Sequence, residues 1–170
     1  MLKVVPGLSQ SGTSWDHQGK SKISQIFIGC TMYRIESIQF AYIEDGRAVL
    51  SERIGRRDGC FTFDYPSEKI TRLSCCYETY YDGHRYLRSI RLHTNKCKYE
   101  VCCLGGDPDL DNDPFFGALD EYVTVTEFDY EVGGEFYGFF GTNWDDGIET
   151  IGFYMKPKQV VNESRSDRLS

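Results

Sequence analysis

A six-residue pattern that occurs three times constrains the fold of this chain more than any other feature. The copies are IESIQF at 35–40, LRSIRL at 87–92 and IETIGF at 148–153, and they start 52 and 61 residues apart. Each copy has an aliphatic residue, a charged residue, Ser or Thr, Ile, a small or polar residue and a large apolar one. Such a repeat predicts three similar units of about four short strands each, arranged as a prism around one core. Chance similarity is the alternative, since β-strands share simple patterns.

Alternation of apolar and polar residues predicts strands rather than helices. It occurs at 61–65, 90–93 and 151–155, and no segment has a sustained helical spacing of apolar residues. Asp45-Gly46, between SIQFAYI and RAVLSER, predicts a hairpin because both residues tolerate the positive φ of a tight turn. Gly133-Gly134 predicts a second turn. The predicted fold class is therefore all-β.

Composition and charge exclude several classes of protein. The chain is 40% hydrophobic and 15% aromatic, which excludes general disorder. A net charge of −7 repels phosphate backbones, so we expect no nucleic-acid partner. No apolar run is long enough for a signal peptide or a membrane span, so we expect no membrane insertion and a cytoplasmic or nuclear location. The odd count of seven cysteines indicates reduced thiols that pack or are exposed.

The order and spacing of six motifs resemble those of the jacalin-related lectins, a plant carbohydrate-binding family. The motifs are GTSWDHQG, SKISQIFI, SIQFAYIEDG, DYPSEKITRLS, YLRSIRLHTNK and FFGTNWDDGIETIGFYMKP, which extend from Gly12 to about Lys156. The resemblance implies the β-prism I fold, in which three Greek-key, four-stranded sheets have pseudo-threefold symmetry. We expect an irregular N-terminal segment over 1–11, a lectin domain over 12–157 and a polar C-terminal tail over 158–170.

The resemblance also implies a sugar site at one end of the prism, formed by three loops. Its expected residues are Gly12, His84, Arg85, Asp145, Asp146, Gly147 and Glu149. Glu149 would take the place of the family's aspartate and accept two sugar hydroxyls through charge-assisted hydrogen bonds. The backbone amides of Asp146 and Gly147 would donate to the sugar, and Trp144 would cover its apolar face. Because eleven residues precede Gly12, the implied ligand is a mannose-type glycan or glycoprotein.

Several departures from the family pattern favour an alternative function. Glu149 stands in place of aspartate, Asp145 in place of a glycine, and SQSG in place of a glycine pair. The alternative is a lectin-derived intracellular module, linked to plant stress or defence, that has lost its sugar site and binds a protein partner. Exposed tyrosines at 80, 81 and 86 would serve either function. Relatives commonly oligomerise, so a homo-oligomer is an alternative to a monomer.

The repeat raises the hypothesis of a second sugar site. Glu36 occupies the position in the first copy that Glu149 occupies in the third, whereas the second copy has Arg88. No acidic loop surrounds Glu36, so the alternative is that it only solvates the start of a strand.

Metal binding and catalysis are disfavoured by the spacing of the acidic residues. In Asn143–Gly147 the glycine comes too early for a calcium loop and no helices flank the segment. The acidic segment Asp107–Asp113 lacks the glycine at the sixth position and the acid at the twelfth position of such a loop. Asp145, Asp146 and Glu149 share one short loop and would present one face, whereas glycoside hydrolysis needs carboxyl groups on two sides of a cleft. The three histidines lack a nucleophile context. We therefore expect no metal, no cofactor and no enzymatic activity.

Overall fold

The computed structural model describes residues 1–7, 10–52, 59–103 and 123–158. Within these ranges the chain forms twelve β-strands and no helix. The strands are β1 Leu2–Val4, β2 Thr13–Asp16, β3 Ile23–Cys30, β4 Ile35–Glu44, β5 Arg47–Leu50, β6 Gly59–Thr62, β7 Ile70–Thr79, β8 Arg85–Thr94, β9 Lys98–Cys102, β10 Thr124–Glu131, β11 Gly134–Trp144 and β12 Gly147–Pro157. The predicted all-β class is confirmed.

The strands form three antiparallel sheets of four strands each. Their orders are β5-β4-β3-β6, β10-β7-β8-β9 and β1-β12-β11-β2. The centre of every sheet is a hairpin, formed by β3–β4, β7–β8 or β11–β12, and one further strand flanks the hairpin on each side. The third sheet combines two strands from the start of the chain with two from its later part, so that distant segments lie next to each other.

The three copies of the repeat fall at equivalent places in these sheets. The first copy begins β4, the second lies in the middle of β8, and the third starts at the second residue of β12. These three strands contact one another. The shared isoleucines Ile38, Ile90 and Ile151 are each at most 2% exposed. The repeat therefore marks the strands whose apolar side chains form the common core, as predicted.

The two predicted turns have different outcomes. Asp45 and Gly46 connect β4 to β5 with φ of 49° and 76°, which confirms the hairpin. Gly133-Gly134 instead lies where the chain leaves β10 and begins β11, so it connects two sheets.

The N-terminal segment is more ordered than the sequence predicts. Within the expected irregular segment 1–11, β1 pairs with β12 from Leu2 opposite Met155 to Val4 opposite Phe153. Three residues are too few to show an alternation, so only the pairing with β12 identifies this strand. Most of the predicted C-terminal tail, 159–170, lies outside the described residues. No helix capable of crossing a bilayer occurs in the described part of the chain.

Candidate functional site

The connections of the three central hairpins meet at one end of the molecule. Arg34, from the β3–β4 connection, forms an ion pair with Asp146 of the β11–β12 turn at 3.2 Å from Nη1 to Oδ2. The hydroxyl of Tyr86 on β8 donates to the same Oδ2 at 3.2 Å. The Trp144 indole N–H donates to the backbone oxygen of Arg85 at 2.8 Å. We name Arg34, His84, Tyr86, Trp144 and Asp146 the tip cluster.

The interior of the tip cluster is a stack of Arg34 on Tyr86. The guanidinium carbon lies 3.8 Å from the centre of the Tyr86 ring, which is the geometry of a cation–π contact. The Arg34 side chain is only 12% exposed, whereas that of its partner Asp146 is 64% exposed. Burial and the nearby charge of Asp146 raise the pKa of Tyr86, so its phenol stays protonated and can donate.

Gly147 makes this stack possible. A Cβ atom at this position would lie 2.9 Å from Cδ1 of Tyr86 and 3.3 Å from Cδ of Arg34. Arg34, Tyr86 and Gly147 each immediately precede one copy of the repeat. Three pseudo-equivalent positions therefore meet, and one of them must be small for the other two to stack. Sequence reasoning missed Arg34, and this equivalence is the signal that would have found it.

The outer part of the tip cluster is aromatic and half exposed. The ring centres of His84 and Trp144 are 4.9 Å apart. Asp82 accepts the backbone N–H of His84 and lies 2.8 Å from its Nδ1, and the backbone N–H is the main reason that the pKa of Asp82 is lowered. Beside these rings, Asp145 and Asp146 are both exposed. The surface thus combines aromatic faces with carboxylates that accept hydrogen bonds.

The Glu149 carboxylate faces inward, contrary to the role expected for it. Glu149 is 1% exposed. Its Oε1 accepts the backbone N–H groups of Ser11 at 3.0 Å and Gly12 at 2.9 Å, and the Thr142 hydroxyl at 2.8 Å. Glutamate is one methylene longer than aspartate, which suits this reach to the segment before β2. Glu149 and Gly12, both of which the resemblance assigned to the sugar site, are therefore hydrogen-bonded to each other.

Gly12 is required by the close approach of two backbones. A Cβ atom at Gly12 would lie 2.5 Å from the carbonyl oxygen of Asn143, which no side chain permits. Trp15 on β2 also contacts Asn143, because its indole N–H donates to Oδ1 of Asn143 at 3.0 Å. Gly12, which donates to Glu149, and His84, whose ring packs against Trp144, therefore both lie next to the β11–β12 hairpin.

Other expected site residues are placed differently. Arg85 is 7% exposed and its Nε donates to Thr79 at 3.2 Å, so its guanidinium is not at the surface. Asp145 does not need glycine-like geometry, because Asp45 is the one non-glycine residue with positive φ among those described. Tyr80 and Tyr86 were expected to be exposed, but their rings pack on each other and both are 8% exposed. Tyr81 is 74% exposed, as predicted.

The second-site hypothesis concerns Glu36, whose counterpart in the second copy of the repeat is the oppositely charged Arg88. Glu36 is half-buried near the start of β4. Arg88, its counterpart, lies 3.4 Å from Glu78 and donates through Nε to the backbone oxygen of Cys103 at 3.3 Å. The second sugar site at Glu36 stays a prediction.

The described part of the chain has free cysteines and no grouped metal ligands. Within the described ranges no group of three or more His, Cys, Asp or Glu side chains is arranged to hold a metal ion. The acidic segment Asp107–Asp113 lies outside those ranges. All seven cysteines are free thiols, and burial raises the pKa of Cys103 to about 12.

Comparisons with known proteins identify the family of this chain. A model of the Jacalin-like lectin domain family matches residues 6–154. Protein RESTRICTED TEV MOVEMENT 1 of Arabidopsis thaliana is 34% identical over 155 residues, covering 87% of this chain and 80% of that protein. Jacalin-related lectin 24 of Arabidopsis thaliana is 32% identical over 180 residues, with 96% and 73% covered.

Solved structures give the same fold. The wild-type Malaysian banana lectin superposes with a TM-score of 0.67 at 20% identity, covering 92% of this chain and 99% of that one. This likeness confirms the predicted β-prism with its three four-stranded sheets. With the family model matching most of its length, the chain belongs to the jacalin-like lectin domain family.

Proposed function

We propose that this protein is a non-catalytic binding module whose tip cluster recognises a protein partner rather than a free sugar. The observation that carries the proposal is the burial of the Glu149 carboxylate against the backbone amides of Ser11 and Gly12. A sugar that used Glu149 as its acceptor would first have to break these hydrogen bonds.

The free energies involved favour the protein partner. A hydrogen bond to a charged group contributes about 1.5–3 kcal/mol. Releasing both amides would cost about 2–4 kcal/mol, because the exposed Ser11 recovers part of its share from water. A ligand with a Kd of about 1 mM gains only about 4 kcal/mol in total. Most of the binding energy of a small sugar would therefore be lost in opening the site. A protein partner can instead bind the tip cluster without disturbing Glu149.

The composition of the tip cluster also supports a protein partner. Arginine, tyrosine and tryptophan are the residues enriched at the energetic centres of protein interfaces. The buried stack of Arg34 on Tyr86 holds the exposed Asp146 in place through an ion pair and a hydrogen bond, so little conformational entropy is lost on binding. Tyr81 and the carboxylates of Asp145 and Asp146 are exposed beside them.

Two relatives have names that do not refer to a sugar. The name RESTRICTED TEV MOVEMENT 1 refers to restricted movement, and a role in plant defence is part of the proposal. Another relative, 28% identical, is named PYK10-binding protein 1. The seven free thiols suit a reducing compartment, so we propose the cytoplasm or nucleus as the place of action.

A mannose-type glycan at the same end is the second candidate. The exposed Asp145 and Asp146 carboxylates lie beside the His84 and Trp144 rings, and this combination favours it. Carboxylates accept sugar hydroxyls, and aromatic faces cover the apolar side of a pyranose. This mode would leave Glu149 in its internal role.

Site-directed photo-crosslinking separates the two candidates. A photoreactive phenylalanine analogue replaces Tyr81, beside the tip cluster, or Tyr130, which is exposed on β10 and serves as the matched control. In a plant-cell extract we expect discrete protein adducts from position 81 only. Excess methyl mannoside should not reduce them, and the additional change Trp144→Ala should abolish them.

The same proteins are then titrated with mannose and monitored by tryptophan fluorescence. Under the proposal mannose causes no saturable change. Saturable binding of mannose, or adducts that mannose displaces, would favour the glycan candidate over the protein partner. Equal adducts from positions 81 and 130 would contradict recognition by the tip cluster.

A further inference from the structure

A cavity of about 400 Å³ lies at the end of the prism opposite the tip cluster. Ile23, Ile70 and Gly134, the first residues of β3, β7 and β11, line it, so all three sheets contribute to it. Strand β11 leads from Gly134 at the cavity to Trp144 in the tip cluster. Ten residue steps at about 3.3 Å each separate the two places by roughly 30 Å. The cavity is therefore a different site from the one that the proposed function uses.

The floor of the cavity is apolar. Ile23, Phe63 and Phe136 are buried side chains of its wall, and Ile70 and Val132 are half-buried next to them. The volume lies within the range of about 300–1,000 Å³ that is typical of small-molecule sites. An apolar group of the size of one or two rings would fill this floor and lose its contact with water.

The opening of the cavity carries three lysines, Lys22, Lys69 and Lys158. All three are exposed, and none forms an ion pair or a side-chain hydrogen bond with another residue in the described ranges. Other lysines of the chain are paired: Lys20 with Glu44, and Lys96 with Asp64 at 2.6 Å. In a protein of net charge −7, three unpaired ammonium groups at one opening form a local positive field.

The backbones that carry these lysines are fixed. The carbonyl oxygen of Lys22 accepts the N–H of Ile43 at 2.7 Å. Lys69 donates its N–H to Oδ1 of Asn95 at 2.7 Å, and its carbonyl oxygen accepts the N–H of Asn95 at 3.1 Å. The Cα positions of Lys22 and Lys69 are therefore fixed beside the opening, while their side chains stay free to reach a ligand.

Two carboxylates also line the cavity, and one of them is already engaged. Glu68 accepts the hydroxyls of Thr94 at 2.6 Å and Tyr99 at 2.8 Å, and the backbone N–H of Asp64 at 2.9 Å. Glu135 is exposed. Three lysines against these two carboxylates leave the lining of the cavity with a net positive charge.

We propose that this cavity binds a small amphipathic anion, whose apolar body contacts Ile23, Phe63 and Phe136 and whose carboxylate or phosphate head lies between Lys22, Lys69 and Lys158. Apolar burial supplies the affinity, and the ammonium groups select an anionic head over a neutral one. The site is independent of the tip cluster and of whether the partner there is a protein or a glycan.

Amide chemical shifts of the full chain test the proposal, with 2-naphthoate, 2-naphthyl phosphate and neutral 2-naphthol as probes. We expect saturable shifts at the amides of the cavity wall with both anions, and much weaker shifts with naphthol. The tighter of the two anions identifies the head group. Removing an exposed ion pair weakens binding by about threefold, so K22Q/K69Q should raise the Kd about tenfold. The charge-matched control K3Q/K98Q, on other surfaces, should leave it unchanged.

Three results would overturn the proposal. Shifts that are absent from the cavity wall would show that the cavity does not accept the probe. Equal affinity for naphthol and the anions would remove the role of the lysines. An equal loss of affinity in K3Q/K98Q would show that the overall charge of the protein, and not the position of the lysines, causes the effect.

Discussion

The internal role of Glu149 predicts that Glu149→Ala destabilises the fold. In the wild type the carboxylate accepts the backbone N–H groups of Ser11 and Gly12 and the hydroxyl of Thr142. Alanine removes the acceptor and leaves a cavity in a site that is 1% exposed. If Glu149 were instead a solvent-facing sugar acceptor, its removal would change binding and leave stability nearly unaffected.

The magnitude follows from the groups that lose their partner. Thr142 keeps a hydrogen bond, because its hydroxyl also lies 2.6 Å from that of Thr150. Ser11 is exposed and can rehydrate, whereas Gly12 is half-buried. With about 1.5–3 kcal/mol for a hydrogen bond to a charged group, and part of it recovered by water at Ser11, the expected loss is about 2–4 kcal/mol. For a domain of this size that lowers Tm by about 5–15 °C.

Urea unfolding and hydrogen exchange measure this effect. Asp145→Ala is the matched control, because Asp145 is an exposed acid of the same hairpin and its loss should cost no more than about 0.5 kcal/mol. Glu149→Gln, which keeps one acceptor oxygen, should fall between the two. The amide proton of Gly12 should exchange faster in Glu149→Ala. Equal stability of the two alanine variants, with unchanged exchange at Gly12, would refute the internal role.

Two further predictions concern the sheets away from the tip cluster. Tyr77→Phe should lower the free energy of unfolding in urea by about 2–4 kcal/mol. The buried Tyr77 hydroxyl donates to the carbonyl oxygen of Ile151 at 3.2 Å and accepts its N–H at 3.0 Å, and both backbone groups would lose this partner. A loss below about 0.5 kcal/mol would contradict this. Hydrogen bonds from Arg72, and then from Ser74, lower the pKa of Asp129 from 3.8 to about 2. The folded pKa is depressed, so this stabilisation is present above about pH 4 and is lost as the pH falls towards about 2. In Asp129→Asn the urea midpoint should change less with pH in that window than in the wild type. An unchanged pH dependence would count against the pairing of Asp129 with Arg72.

The strands of the core could be predicted from the sequence because their signals are local. The alternation around Ile90 and Ile151 predicted strands, and the three copies of the repeat predicted that these strands share one core. The structure confirms both, with Ile38, Ile90 and Ile151 each at most 2% exposed. Asp45-Gly46 predicted its hairpin because the φ values that a tight turn needs depend on those two residues alone. The resemblance to the family led us to expect Gly12, His84 and Glu149 at one end of the prism.

The chemistry of the candidate site depended on contacts between residues far apart in the chain. A charged residue in an alternating strand indicates exposure, yet Glu149 is buried because Ser11, 138 positions away, supplies a donor. Tyr86 was expected at the surface, and the Arg34 side chain covers it from another sheet. No local pattern reports Ser11 beside Glu149, and the only signal for Arg34 is the repeat position that it shares with Tyr86.

The sequence by itself determined the all-β class and the threefold arrangement of strands, because hydrophobic periodicity and turn chemistry act over a few residues. Only the tertiary structure decided that β1 closes the third sheet, that Glu149 holds the N-terminal segment and that Arg34 joins the tip cluster. Each of these depends on which groups from distant segments satisfy a hydrogen bond or a charge, and that is fixed only when the three sheets pack together.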